Sequence, residues 1–140
     1  MRRKKMLFLL LSSLAALVTG ALIYIFFRRQ TIFTAYLGRF GVKAGAYSSA
    51  DIPFGDFIRY YLPDYLWGYA LCCQAAALFD VLRIKKVGAY ILCAVVGIAW
   101  EVLQWSGVVS GTGDCVDCIM YLTAVGTVVL IEKLFKKGAG

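Results

Sequence analysis

The sequence predicts an all-α polytopic membrane protein: four transmembrane helices in an antiparallel bundle, with a short interfacial helix in the first external loop. Three observations lead there. The 140-residue chain is 61% hydrophobic with mean hydropathy +0.76, and 16% charged residues cannot cover a water-soluble domain of this size. Its apolar residues gather in four runs, 6–27, 60–79, 87–105 and 115–132, each near the roughly 20 residues a helix needs to cross about 30 Å of hydrocarbon. These runs are continuously apolar rather than alternating with period two, which argues against a closed β-barrel. Four such helices fill 1–140 as a single domain.

The first run follows Arg2, Arg3, Lys4 and Lys5, so the start resembles a signal peptide. Its 22 residues exceed the usual core of about 7–15, which favours an uncleaved anchor, although small residues at Ala15, Ala16 and Ala21 are compatible with cleavage. In segment 28–59, Ile32, Phe33, Tyr36, Leu37 and Phe40 have helical spacing and are flanked by Arg29, Arg39 and Lys43, the pattern of a helix lying in the interface. Gly41, Gly45, Ser48, Ser49 and Pro53 then read as irregular loop. Tyr60-Tyr61-Leu62-Pro63-Asp64 opens the second helix; proline is tolerated in a first turn, and an acid there suits the positive end of the helix dipole. The third run ends near Trp105, and 106–113 is a tight external loop. Asp114 is placed to cap the last helix, with Asp117 one turn in.

Charge sets the orientation. Arg2, Arg3, Lys4 and Lys5, then Arg83, Lys85 and Lys86, then Lys133, Lys136 and Lys137 fall at one side of a four-helix arrangement. The positive-inside bias places both termini in the cytoplasm of a multi-pass cell-membrane protein. Arg28, Arg29, Arg39, Lys43 and Arg59 fall on the other side. The net charge of +7 is thus concentrated at helix ends, which suits a lipid surface and argues against nucleic acid. Trp67, Trp100 and Trp105, with Tyr60, Tyr61 and Tyr65, fall toward the outer interface as an aromatic belt.

Two runs carry one stripe in opposite order. Asp64, Gly68, Cys72 and Ala76 descend the second at steps of four, and Glu101, Gly97, Cys93 and Ala89 ascend the third. Such steps stay on one helix face, drifting about 40° each, and small residues let membrane helices approach closely. A carboxylate within such a face is a candidate functional group. Arg59, Asp64, Glu101, Gln104, Asp114, Asp117 and Tyr121 all fall at outer helix ends and could converge on one outward pocket, with Trp67 beside them. Carboxylates in such a pocket could do acid–base work, or hold Mg²⁺ or Ca²⁺ through oxygen ligands, and Arg59 could bind a phosphate. Helix capping and neutralisation by Arg59 are the structural alternative.

Cys115-Val116-Asp117-Cys118 is a C-x-x-C at an outward helix start, the position that small four-helix disulfide-generating oxidoreductases use. Those enzymes need a second pair in an external loop, and 28–59 has no cysteine. With no histidine, two thiols do not complete a zinc site.

Leu62-Pro63-Asp64-Tyr65-Leu66-Trp67-Gly68-Tyr69-Ala70-Leu71, Trp100-Glu101-Val102-Leu103-Gln104 and Gly111-Thr112-Gly113-Asp114-Cys115-Val116-Asp117, followed by Tyr121 and Gly126, resemble the VanZ-like family of small bacterial membrane proteins. The matched pattern is E-x-x-Q, a short loop, then D-x-x-D before a glycine-containing last helix. It carries over Glu101, Gln104, Asp114, Asp117 and Gly126, and covers about 57–130. Thr112-Gly113 stands where many members have an arginine, and Tyr121 where many have an asparagine. The resemblance implies a single VanZ-like domain and a cell-envelope role linked to glycopeptide (teicoplanin-type) antibiotic resistance; it supplies no reaction.

The leading expectation is a non-enzymatic protein that binds an anionic membrane lipid or lipid-linked envelope precursor at the outer acidic site. It needs no cofactor, with a divalent cation as an option and a homo-oligomer left open. An enzyme acting on a lipid-linked substrate through Glu101 or Asp117 is the second reading, although Ser106 and Ser110 lack a histidine partner. A small four-helix transporter is the third, and the absence of an acid between Met6 and Phe27 speaks against it.

Overall fold

A computed structural model describes residues 2–27, 36, 38–41, 53–109 and 112–137. Those residues form helices and no strand: α1 (Arg2–Phe27), α2 (Gly55–Tyr60), α3 (Leu62–Val81), α4 (Val87–Trp105) and α5 (Cys115–Lys137). The expected interfacial helix around 32–40 lies largely outside the described residues. Within them, the Arg39 amide donates to the Tyr36 carbonyl at 3.1 Å, and the Tyr36 and Phe40 rings lie 5.4 Å apart.

Helices α1, α4 and α5 are long and apolar enough to cross a membrane. Helix α3 is of similar length, but Asp64, Gln74 and Asp80 lower its hydropathy. It is also the helix the others cover: α1, α4 and α5 all pack on it, and α4 packs on α5. That cover gives Asp64 and Asp80 protein partners.

The short α2 departs from the expectation of loop up to residue 59. Pro63 has no N–H to donate to the Arg59 carbonyl, so the ladder is interrupted at the Tyr61 joint, where φ is −105°. Bonds continue on either side, from the Tyr61 amide to the Phe57 carbonyl at 3.0 Å and from the Tyr65 amide to the Tyr61 carbonyl at 3.3 Å. What the sequence suggests as one helix start is therefore two helices in tandem.

Contacts fix the register of neighbours. Lys5 meets Asp80, the Tyr69 hydroxyl donates to Ser12 Oγ at 3.0 Å, and Gly20 lies beside Trp67, so α1 rises as α3 falls. Phe79 packs over Gly88 across the α3–α4 turn. The buried positions of α1 are Leu9, Ser13, Ala16, Gly20 and Ile23, alternating steps of four and three that make a continuous seam. Those of α4 are Ala89, Cys93, Gly97 and Glu101 and no others, the stripe read from the sequence. Helix α5 buries Ala124, Val128 and Glu132. The central α3 buries a broader face, with Gly68, Cys72 and Ala76 at its centre stripe and Tyr69, Ala70, Cys73 and Ala77 widening it.

The resulting core is dominated by small residues, with Leu9, Ile23, Tyr69 and Val128 as its larger members. Leu10, Leu14, Leu22, Ile91, Val95 and Leu130 face outward with other large aliphatic side chains. In water this would be a far larger apolar surface than monomers tolerate. In lipid, where tails are as apolar as leucine, close packing of small residues is the usual basis of helix association.

Both α3 and α4 end in the same hydrogen-bonded reversal. In α4, the Val108 amide reaches the Leu103 carbonyl at 3.1 Å and Gly107 takes φ 71°, as glycine does at this position. In α3 the equivalent residue is Arg83, at φ 59°.

Candidate functional site

At the end of the bundle where α2 joins α3, the Tyr121 ring fills the space that the two stripes leave open. A methyl group added at Gly97 would lie 2.6 Å from Tyr121 Cγ, and one added at Gly68 would lie 2.9 Å from Cδ1. The glycines are required because a ring from α5 enters between α3 and α4. The Tyr121 hydroxyl donates to Asp64 Oδ1 at 3.2 Å, and Asp64, Glu101 and Asp117 all lie close enough to act on it electrostatically. Of the four acids singled out in the sequence, Asp64 is the one bonded to the phenol.

Glu101 is 1% exposed, and its Oε2 accepts the backbone N–H of Asp114 at 3.1 Å. Asp114 Oδ1 in turn accepts the Val116 N–H at 2.9 Å, so Asp114 caps α5 as its spacing suggests. The pair forms a capping arrangement across two helices: a carboxylate of α4 holds the residue that starts α5. Beside it the Trp105 indole N–H donates to the Gly113 carbonyl, and the ring occupies the space a side chain at 113 would need.

A cleft of about 320 Å³ lies alongside, lined by Tyr24, Asp64, Trp67, Gly68, Leu71, Cys93, Val96, Gly97, Trp100 and Tyr121. Trp67, Leu71, Val96 and Trp100 are also exposed, so the cleft opens on the apolar flank of the bundle. Of the expected site residues, Asp64, Trp67 and Tyr121 line it; Arg59, Glu101, Gln104, Asp114 and Asp117 do not. Arg59 lies on α2 with its guanidinium 5.0 Å from the Tyr60 ring centroid, and Gln104 and Asp117 are partly exposed.

The opposite end holds a cluster that the sequence reading missed. Lys5 of α1 lies 2.9 Å from Asp80 of α3 and 3.6 Å from Glu132 of α5. Lys86, just before α4, lies 2.6 Å from Asp80 and also pairs with Glu132, which accepts the Tyr90 hydroxyl at 3.0 Å. Glu132 is only 4% exposed. Two cations and two anions therefore tie the ends of α1, α3, α4 and α5 together. The available signal was periodic: steps of four through 64, 68, 72 and 76 arrive at Asp80, and those through 124 and 128 arrive at Glu132.

All five cysteines are free thiols; Cys72, Cys73 and Cys93 are buried, whereas Cys115 is exposed. Among the described residues, no group of three or more His, Cys, Asp or Glu side chains is arranged to hold a metal ion. No protein-family model matches the chain, and neither a curated protein nor a solved structure matches it.

Proposed function

We propose that the chain is a VanZ-like integral protein of the cell envelope that binds a lipid or lipid-linked headgroup in the cleft beside Asp64. In this reading α1, α3, α4 and α5 cross the cell membrane as an antiparallel four-helix bundle, α3 shielded by the other three. Both termini lie in the cytoplasm and the cleft opens toward the outer leaflet. One observation carries the binding reading: a carboxylate and a phenol sit together in an otherwise aromatic and aliphatic cleft open to the flank. Few polar groups within an apolar concavity is the usual composition of a ligand site. An acyl or isoprenoid chain would lie against Trp67, Leu71, Val96 and Trp100.

Asp64 in the cleft favours a headgroup that donates hydrogen bonds, an amine or a sugar hydroxyl, over a bare anion. Arg59 does not line the cleft, so the anionic lipid expected from the sequence becomes one recognised by the hydrogen-bond donors of its headgroup. Glycopeptide resistance would follow from holding such an envelope lipid. The enzymatic alternative is weakened by Glu101, whose carboxylate is buried against the Asp114 amide and does not line the cleft.

The test uses two lipids with brominated acyl chains, phosphatidylethanolamine and phosphatidylcholine, whose quaternary ammonium has no N–H to donate. Bromine quenches nearby tryptophans, and Trp67 and Trp100 line the cleft. Stronger quenching by the ethanolamine lipid, lost in Asp64→Asn, is expected. Equal quenching by both lipids in the wild-type chain would end the headgroup reading.

A further inference from the structure

A second cleft, of about 240 Å³, lies at the end of the bundle that holds the ion-pair cluster, lined by Arg3, Met6, Val81 and Arg83. Its lining is layered. Met6 is one turn further into α1 than Arg3, and Val81 ends α3 two residues before Arg83, so along both helices the apolar residues lie deeper than the arginines. Arg83 holds φ 59° while its amide reaches the Asp80 carbonyl at 3.4 Å and the Ile84 amide reaches the Phe79 carbonyl at 3.0 Å. Glycine fills this position in most such helix ends, because a Cβ is strained there. An arginine is present despite that backbone penalty. Asp80 and Glu132, the acids of this end, are engaged by Lys5 and Lys86. Arg3 and Arg83 form no ion pair among the described residues.

We infer that this cleft binds the phosphate of an anionic phospholipid at the cytoplasmic leaflet, clasped between Arg3 and Arg83. Guanidinium forks match phosphate oxygens in geometry as well as charge. The glycerol and first acyl carbons would run along Met6 and Val81. The four-charge cluster next to it satisfies its own acids, leaving both arginines for a ligand from the bilayer. This inference needs the bundle in a membrane but is independent of what the outer cleft holds.

Native mass spectrometry of the full chain in detergent tests it, with phosphatidylglycerol and phosphatidylcholine added in turn. The first phosphatidylglycerol is expected to bind at least about tenfold more tightly than phosphatidylcholine, given two basic groups near the headgroup. Arg83→Gly should weaken it about fivefold while leaving the melting temperature unchanged or higher, because glycine suits φ 59°. Adding Arg3→Gln should abolish the preference, whereas Lys136→Gln with Lys137→Gln, an equal charge loss elsewhere at this end, should retain it. Equal loss from the lysine pair would mean diffuse attraction only and would overturn the site. So would stabilisation of the lipid-free protein by millimolar inorganic phosphate that also displaces phosphatidylglycerol, since the ligand would then be free phosphate.

Discussion

Replacing Gly97 or Gly68 by alanine perturbs the same ring from two sides, and the structure predicts different outcomes. At position 97 the new methyl would meet Tyr121 Cγ at 2.6 Å, Cβ at 2.8 Å and Cδ2 at 2.9 Å, where carbon atoms rest at about 3.5–4.0 Å. Because Cβ is fixed to the α5 backbone, the ring cannot simply rotate away, and α4 and α5 must separate. At position 68 the nearest atom is Cδ1 at 2.9 Å, followed by Ala124 Cβ at 3.4 Å, so a small ring tilt suffices. Overpacking of a tight core costs about 1–3 kcal/mol, and alanine returns about 0.5–1 kcal/mol through helix propensity. Gly97→Ala should therefore destabilise by about 2 kcal/mol and Gly68→Ala by about 1 kcal/mol, measured by reversible unfolding of the purified protein in mixed micelles. In a Tyr121→Ala background the Gly68 clash disappears and its substitution should become neutral or stabilising. The Gly97 cost should fall only by about half, because the Cβ contact persists. Gly126, with nothing within 4 Å of an added methyl, is the control and should accept alanine without loss. Equal cost for Gly68→Ala with and without the tyrosine would refute this account of why the stripes contain glycine.

Further outcomes concern the two ends. Lys86→Met leaves Asp80 and Glu132 with Lys5 as their remaining lysine partner and should destabilise by about 3–5 kcal/mol in the same unfolding assay, whereas Lys136→Met should change stability by less than about 0.5 kcal/mol. Asp114→Ala removes the α5 cap and should cost about 1 kcal/mol; Glu101→Ala, which also strips the buried acceptor of the Asp114 amide, should cost more than Glu101→Gln, which retains an oxygen. In intact cells a membrane-impermeant maleimide should label Cys115 from outside and leave Cys72, Cys73 and Cys93 unmodified until the protein is denatured. Labelling of Cys115 only after the cells are opened would reverse the proposed orientation.

Much of the helical framework was legible because hydropathy and spacing are local properties. Ala89, Cys93, Gly97 and Glu101 form one face in the sequence and are the buried face of α4. Asp114 was readable as a cap because its role involves the next two residues of the chain. What was hidden depends on partners distant in sequence. Small residues announce a close approach without saying what arrives, so the insertion of Tyr121 between Gly68 and Gly97 could not be read from either stripe. Glu101 looked like a ligand-facing acid, and its engagement with a backbone amide thirteen residues away emerges only when α4 and α5 are paired. Asp80 and Glu132 were overlooked because they lie among many basic residues, where a charge reads as a surface feature; continuing the steps of four would have exposed them. The α2–α3 joint was missed because Pro63 is equally at home starting a helix and interrupting one.

Identifying what occupies the cleft beside Asp64 in living cells decides the binding reading. A photoreactive benzoyl-phenylalanine at position 96, on the lining of the cleft, would be irradiated in intact cells and the adduct identified by mass spectrometry; position 91, on the outward surface of α4, serves as the reference. Position 96 should capture one lipid class with a hydrogen-bond-donating headgroup, enriched over position 91, and Asp64→Asn should remove the enrichment. Adducts at 96 matching those at 91, with or without Asp64, would show only bulk lipid against the flank and would contradict a binding site there.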